Sequence, residues 1–165
     1  MKDLKFNSYL STLMYGNEPA LSLILSQLST QIVFRKNEVI YHRGSIPEYV
    51  AYIEKGNAIA LSQSKPNRQV LRFWMTNQLI CPSGFFNNIP TSQSIVALDD
   101  CLVSALTYRK LFTFLNDFPE AYSIVNAILK NEIKLVELNI NSLTKHQSPQ
   151  DHEALLEALA LSFDE

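Results

Sequence analysis

The sequence lacks the features that mark several large classes of protein. It has only two cysteines, Cys81 and Cys101, in 165 residues, which is too few for the disulfide framework of a secreted domain and favours a reducing cytoplasm. Its N-terminus has neither a continuous apolar segment nor a small-residue cleavage site, so we interpret it as mature sequence and not as a signal peptide. No window reaches the ~20 apolar residues of a membrane span. We therefore predict a cytoplasmic protein that makes no membrane contact.

Basic runs and catalytic motifs are missing as well. Fourteen Lys and Arg residues stand against sixteen Asp and Glu, for a formal net charge of −2, so the whole chain has no general attraction for nucleic acid. There is no P-loop, Rossmann fingerprint or nucleophile elbow. The three histidines have no metal-ligand spacing with the cysteines or carboxylates. The sequence predicts no enzyme activity, no catalytic residue, no metal and no cofactor.

What is present is a β-rich middle between helical ends. The apolar spacing predicts helices over Asp3–Tyr15 and Ala20–Leu28, with Pro19 at a first-turn position. Short β-type runs follow, separated by Gly, Pro and Asn. These runs are Ile32, Phe34, Val39–Tyr41, Tyr49–Ile53, Ala58–Leu61, Val70–Trp74 and Ile95–Leu98. Several short strands at close spacing predict an antiparallel barrel or sandwich.

Two further helices are predicted, over Tyr108–Phe118 and from Pro119 to about Thr144. The second carries two apolar seams, although a surface helix needs only one. The first seam steps by three and four through Tyr122, Val125, Leu129, Ile133, Val136, Ile140 and Leu143. The other contains Ala121, Ile124, Ile128, Leu135 and Leu138. We expect one seam to pack on the barrel and the first seam to form a homodimer interface; the alternative is that the N-terminal helices of the same chain cover the extra seam.

The chain therefore divides into four segments: N-terminal helices (1–30), a β-roll (31–107), a helix pair (108–146) and a linker or tail (147–165). A short helix is predicted over Pro149–Leu161, and its charged residues are all acidic. Such a segment repels DNA, so we predict no direct DNA binding by this chain alone.

The ordered series of motifs resembles the sensor domain of Crp/Fnr regulators. It contains Phe34-Arg35-Lys36-Asn37-Glu38-Val39-Ile40, then Gly44, Tyr49-Val50-Ala51-Tyr52-Ile53-Glu54-Lys55-Gly56, Ile95-Val96-Ala97-Leu98-Asp99-Asp100 and Phe118-Pro119-Glu120. The resemblance covers about Leu21 to Thr144 and is similar in texture to the divergent regulators of Bacteroidetes-type bacteria. It implies a mainly β fold with flanking helices, namely a double-stranded β-helix (jelly roll) of the cyclic-nucleotide-binding type with a long C-terminal dimerisation helix.

The same resemblance implies a phosphate cassette, and its key residues are replaced here. In nucleotide-binding relatives a Phe-Gly-Glu-type step precedes a short helix, its Glu holds the ribose hydroxyl, and an Arg pairs with the phosphate. The matching positions hold Ile80, Cys81 and Thr91. A buried phosphate without its cation costs several kcal/mol, so we predict that cyclic AMP does not bind.

Small polar residues nevertheless surround the vacated positions. Ser83, Gly84 and Ser92, together with Ile80, Cys81 and Thr91, form the predicted degenerate ligand site, whose neutral donors suit an unidentified small molecule. The alternative is that these residues are ordinary turn and strand-edge groups. Whether Arg68 or Arg72 reaches the site is left open at this point.

The residues and the resemblance together predict a non-catalytic regulatory domain of the Crp/Fnr transcription-regulator type. In relatives a helix-turn-helix follows the linker, whereas this sequence stops at Glu165 within it. Either the natural protein lacks that DNA-binding unit or the sequence is a fragment. The alternative function is therefore a DNA-binding transcription regulator, present whole or in part, that responds to cyclic AMP or another small ligand.

Overall fold

The computed structural model describes residues 4–13, 19–61 and 70–145, with side chains as far as residue 137. Two four-stranded antiparallel sheets form its centre. The strands are β1 (Thr30–Phe34), β2 (Val39–Tyr41), β3 (Tyr49–Lys55), β4 (Ala58–Leu61), β5 (Val70–Trp74), β6 (Leu79–Ile80), β7 (Ser94–Ala97) and β8 (Cys101–Thr107). One sheet has the order β1-β8-β3-β6 and the other the order β2-β7-β4-β5. The predicted fold class, a mainly β jelly roll with flanking helices, is confirmed.

In the described part of the chain, four helices flank these sheets: α1 (Leu4–Leu13), α2 (Pro19–Gln27), α3 (Tyr108–Asp117) and α4 (Tyr122–Lys145). A single 3-10 turn, Pro119–Ala121, connects α3 to α4. Pro19 begins α2, which confirms its first-turn position, since the fixed φ of proline suits the first residue of a helix. None of the described helices is both long and apolar enough to cross a membrane.

The alternation of strand β3 explains why the molecule has two apolar cores. Ala51 and Ile53 face the core between the sheets, while Val50 and Tyr52 face the core that the helices cover. Successive side chains of a strand point to opposite faces, so a strand that is covered on both faces carries a continuous apolar run, as β3 does from Val50 to Ile53. The helix-side core brings α1, α2, α3 and α4 onto the first sheet.

Most predicted strands are found where the sequence placed them, but the short strand β6 and the central strand β8 were missed. Strands β2, β4 and β5 have the predicted bounds. No strand was predicted for Cys101–Thr107, yet β8 pairs with both β1 and β3. Its run CLVSALT does not alternate and leads directly into α3, so its period does not mark it as a strand.

Three turn residues of the resemblance motifs have left-handed backbone conformations. Asn37, Gly44 and Gly56 all have positive φ, at 69°, 80° and 99°. At Gly56 the backbone also passes close to its neighbours, since an added Cβ would lie 2.7 Å from the Cys101 sulfur and 2.8 Å from the Asp100 carbonyl oxygen. This turn therefore requires glycine for space as well as for conformation.

The two seams of α4 have different environments. Ala121, Ile124 and Ile128, from the second seam, are buried in the helix-side core. The first seam is mostly exposed: Tyr122, Leu129, Ile133 and Val136 all keep large solvent-accessible fractions, up to 60% at Ile133. Helix α1 packs against α4 but leaves these four side chains uncovered. The side chains of Ile140, Leu143 and Leu138, and the whole 147–165 segment, lie outside the described residues.

Val125 departs from the rest of the first seam. Only 8% of its surface is exposed, and it packs in the helix-side core with Ile124 and Ile128. The step of three from Tyr122 turns it toward the sheet, so it has little surface left for a partner.

Candidate functional site

A pocket of about 360 Å³ lies between the edge strand β5, the segment that follows β6, and helix α4. Its volume is within the range of small-molecule sites. It is lined by Leu71, Arg72, Trp74, Cys81, Pro82, Ser83, Thr91, Gln93, Ile95, Glu132 and Val136. Three of the six residues of the predicted ligand site, Cys81, Ser83 and Thr91, line this pocket, and so does Arg72.

An ion pair joins the two walls of the pocket. Arg72 and Trp74 are two residues apart on β5 and so share one face of that strand. The Arg72 Nη1 atom donates a hydrogen bond to Glu132 Oε2 at 2.8 Å, and only 13% of each of the two side chains is exposed. The guanidinium of Arg72 also lies over the Trp74 ring, 4.6 Å from its centroid. The β-roll and α4 are thus connected through one buried, charge-assisted contact.

The opposite charges of Arg72 and Glu132 balance each other, but some polar atoms of the two side chains make no hydrogen bond to any described residue. Burial raises the pKa of the Glu132 carboxyl, while its hydrogen bond to Arg72 acts in the opposite direction. Three buried polar atoms, Arg72 Nη2, Glu132 Oε1 and Trp74 Nε1, have no hydrogen-bond partner among the described residues. Unpartnered buried polar atoms are uncommon in folded proteins, and these three belong to residues that line one pocket.

The predicted cassette has no helix between β6 and β7 among the described residues; residues 83–88 form turns. The hydroxyl of Ser83 lies 3.2 Å from those of Thr91 and Ser92, and it accepts a hydrogen bond from the Ser92 backbone N–H. Gly84 has a φ of 89° and packs directly on the Ile89 backbone. The three hydroxyl groups therefore bond to one another and stabilise the turn.

Ile80 and Cys81 occupy different surroundings. Ile80 is fully buried between the sheets and cannot reach a ligand, while Cys81 is half-buried and lines the pocket. Burial raises the pKa of the Cys81 thiol to about 12, with a further contribution from the Glu132 charge. Burial likewise raises the pKa of Cys101 to about 11. Both thiols are therefore protonated at neutral pH.

We expect Cys81 in the folded protein to be alkylated about three powers of ten more slowly at pH 8 than in denaturant. Only the thiolate reacts, and a pKa near 12 leaves about one thiol in 10⁴ ionised, against about a quarter for an ordinary cysteine. Timed labelling with iodoacetamide and peptide mass spectrometry measures both sites. Glu132→Gln should increase the alkylation rate of Cys81 and leave that of Cys101 unchanged. Equal alkylation rates in folded and denatured protein would contradict the buried placement of Cys81.

The adjacent carboxylates Asp99 and Asp100 do not form a catalytic pair. Asp99 accepts hydrogen bonds from the backbone N–H and the side-chain amide of Asn57, at 2.6 and 2.7 Å. Asp100 accepts from the Lys36 backbone N–H at 3.0 Å and from Arg35 at 3.2 Å. Each carboxylate fixes a different turn. Within the described ranges no group of His, Cys, Asp and Glu is arranged to hold a metal ion.

Sequence reasoning missed Glu132 and left Arg72 unassigned. The pattern contained a signal for the first, since Glu132 is three residues after Leu129 and four before Val136 on α4 and is thus a lone carboxylate on an apolar helix face. Trp74 is buried between the sheets and also lines the pocket. Two other aromatic residues lie elsewhere: Phe73 is exposed and Phe85 lies in the helix-side core.

With this geometry established, the chain can be compared with known proteins. The family model described as "Cyclic nucleotide-binding domain" matches residues 31–118. No protein among those with curated functions matches the sequence.

Solved structures share the fold at low sequence identity. A cyclic nucleotide-binding domain from Methylobacillus flagellatus KT is 14% identical with a TM-score of 0.70, and the match covers 88% of this chain and 82% of that one. The catabolite activator protein of Thermus thermophilus is 15% identical with a TM-score of 0.65, over 80% of this chain and 62% of that one. The N-terminal domain of a transcriptional regulator from Streptomyces coelicolor A3(2) is 20% identical with a TM-score of 0.60, over 69% and 81%. The present chain thus spans less than two thirds of the Thermus protein.

Proposed function

Because the chain belongs to the cyclic nucleotide-binding domain family, we propose that it is a non-catalytic regulatory domain of the Crp/Fnr type whose pocket senses a small molecule other than cyclic AMP. The observation that carries this proposal is the Arg72–Glu132 ion pair in the pocket. The pair places specific polar groups in a ligand-sized cavity. Glu132 also neutralises the Arg72 cation, which a bound phosphate would need.

The charges in the pocket argue against a cyclic phosphate. Arg72 is the one cationic residue among the described residues that line it, and Glu132 holds its guanidinium at 2.8 Å. A phosphate entering this space has to displace Glu132 or lie beside it, and either arrangement leaves a negative charge poorly compensated in a site with little water. The hydroxyl groups of Ser83, Thr91 and Ser92 are engaged with one another.

A second candidate function rests on the same arginine. If Glu132 turned away from the pocket, Arg72 would be free to pair with a cyclic phosphate, as an arginine does in any strong phosphate site. The chain would then be a cyclic AMP receptor that uses a cation from β5 in place of one from the cassette.

Isothermal titration calorimetry with cyclic AMP separates the two candidates. We expect no saturable heat up to about 1 mM cyclic AMP. A dissociation constant above that concentration corresponds to a binding free energy weaker than about 4 kcal/mol. A dissociation constant in the low micromolar range that is lost in Arg72→Gln would establish the second candidate and overturn the first. Lys134→Gln, an exposed cation on α4 outside the pocket, is the matched control and should behave as the wild type.

We further propose that the exposed seam of α4 binds a second copy of this chain. The seam, defined by Tyr122, Leu129, Ile133 and Val136, follows the spacing of three and four that lets two helices pack side by side. Exposed apolar rows of this size mark interaction surfaces. Val136 belongs to both the seam and the pocket lining, so a ligand in the pocket would touch the proposed interface.

We expect Ile133→Glu to convert a dimer into a monomer, because it places a carboxylate at the centre of the proposed interface, where desolvating a charge is costly. Size-exclusion chromatography with light scattering gives the mass directly. Lys134→Glu, one residue and about 100° further round the helix, introduces the same side chain outside the seam and should remain dimeric. A wild-type protein that is monomeric at all concentrations would refute the proposal.

We also propose a role in the regulation of transcription; the chain spans 62% of the Thermus activator. We expect the present chain alone not to bind duplex DNA, given its net charge of −2. Fluorescence anisotropy with labelled duplex in low salt tests this expectation, since electrostatic binding is strongest there.

A further inference from the structure

We infer that the pocket takes a compact, uncharged ligand whose surface is mainly hydrocarbon, such as a molecule built on one substituted aromatic ring. This inference rests on the proposed function, since it specifies the chemistry of the ligand for the same pocket.

The first argument is that the two charged groups of the pocket are already paired. Among the described residues that line it, Arg72 is the one cation and Glu132 the one anion. They are joined at 2.8 Å, and 13% of each side chain is exposed. An anionic ligand that leaves the pair intact lies beside Glu132, and a cationic ligand lies beside Arg72. Surroundings with little water screen neither repulsion well, so the pocket disfavours ligands of either sign.

The second argument is that the smaller polar groups of the lining are engaged or weak. The hydroxyl oxygens of Ser83 and Thr91 lie 3.2 Å apart, and the Thr91 hydroxyl donates to the Gln93 carbonyl oxygen at 3.4 Å. Burial raises the pKa of the Cys81 thiol to about 12, so this group stays a neutral thiol, which forms only weak hydrogen bonds. A strongly polar ligand loses its hydrogen bonds to water on entry and finds few strong ones in return.

The third argument is the apolar surface that remains. Leu71, Pro82, Ile95 and Val136, together with Trp74, line a space of about 360 Å³. Leu71 and Val136 come from opposite walls, β5 and α4, and keep 38% and 45% of their surface exposed. A hydrocarbon surface placed between them removes apolar area on both walls from water, which is favourable without any directed bond. Walls of this kind are typical of sites for compact organic molecules.

Four probes that share one benzene ring separate the effects of charge and polarity. Toluene is uncharged and apolar, benzamide is uncharged and polar, benzoate is an anion at neutral pH, and benzamidine is a cation. Trp74 reports on all of them, because it lines the pocket and, as the only tryptophan, gives a single indole peak in a ¹H–¹⁵N correlation spectrum. An aromatic ring bound nearby shifts that peak. We expect toluene to shift it saturably and to bind about tenfold more tightly than benzoate, benzamidine or cyclic AMP, with benzamide in between.

Leu71→Asp is the variant that localises the bound probe. It places a carboxylate on the β5 wall at a partly exposed position, and we expect it to weaken toluene binding about tenfold and to strengthen benzamidine binding. Leu23→Asp is the matched control, since Leu23 is exposed to a similar extent, 43%, but lies on α2 outside the pocket. It should leave the affinities of all four probes unchanged.

The wild-type ranking decides the inference by itself, even if Leu71→Asp fails to fold. Benzoate or benzamidine binding as tightly as toluene would overturn the inferred ligand chemistry and leave the pocket as a sensor site, and so would benzamide binding more tightly. Preferential binding of cyclic AMP would overturn both this inference and the proposed function. No saturable shift of the indole peak with toluene would overturn the inference alone, as would an unchanged toluene affinity in folded Leu71→Asp protein.

Discussion

Replacing Glu132 with alanine should lower the free energy of unfolding by about 3–5 kcal/mol, because the substitution leaves the Arg72 guanidinium buried without its carboxylate. Arginine cannot escape this cost by losing its proton. The two side chains are 60 residues apart in the sequence and 2.8 Å apart in the fold, so their contact also fixes α4 to the β-roll. Urea denaturation followed by the fluorescence of Trp74, whose ring lies against Arg72, measures the loss.

The reciprocal and double variants are the controls. Arg72→Met combined with Glu132→Leu removes both charges and should be close to neutral in stability, since an apolar pair of similar volume often replaces a buried ion pair without loss. If Glu132→Ala and Arg72→Ala each cost less than about 0.5 kcal/mol and their effects are additive, the ion pair does not exist in solution.

The free energy of unfolding of the Arg72→Ala variant should decrease as pH rises. Burial raises the pKa of Glu132 and Arg72 lowers it, so removal of the arginine raises the folded-state pKa further. A carboxyl whose pKa is higher in the folded than in the unfolded state binds more protons when folded. The variant is therefore most stable below the ordinary glutamate pKa of about 4.3, and it loses stability as pH rises from there through the folded-state pKa.

The second large effect is expected at the turn between β3 and β4. Gly56→Ala should cost about 2–5 kcal/mol. Alanine at a φ of 99° loses about 1–2 kcal/mol through its Cβ. The added atom would also lie within 2.8 Å of the Cys101 sulfur, the Asp100 carbonyl oxygen and Asp99 Oδ1. Overpacking against neighbours that cannot withdraw adds about 1–3 kcal/mol.

Gly44 separates these two contributions. Its φ is 80°, close to that of Gly56, but an added Cβ meets no atom within 4 Å. We therefore expect Gly44→Ala to cost only the conformational part, about 1–2 kcal/mol. Thermal denaturation of the two variants side by side measures the difference. Equal losses would mean that the turn relaxes and that the close contacts at Gly56 contribute nothing.

The position of the pocket suggests how a ligand would act. Its walls are β5 on one side and α4 on the other, and Glu132 stands among the exposed residues of α4. A ligand that contacts both walls of the pocket would strengthen the connection between the roll and α4. It would shift the orientation of α4 only if it bound one orientation more tightly than the other.

The sequence by itself determined the local structure and the topology class. Apolar periodicity and turn residues are properties of neighbouring positions, so β2, β4, β5, the start of α2 and the left-handed turns at Asn37, Gly44 and Gly56 were all predictable. The degenerate cassette stays a prediction from the residue types at Ile80, Cys81 and Thr91.

Only the tertiary structure decided what depends on contacts between distant segments. Strand β8 is a strand because β1 and β3 bond to both of its edges, although its own pattern is ambiguous. Val125 is buried because the sheet lies beneath that part of α4, and the spacing of the seam contains no such information. The Arg72–Glu132 pair depends most on the tertiary structure. A hydrogen bond requires atoms about 3 Å apart, and no local sequence pattern indicates which charged side chains come that close.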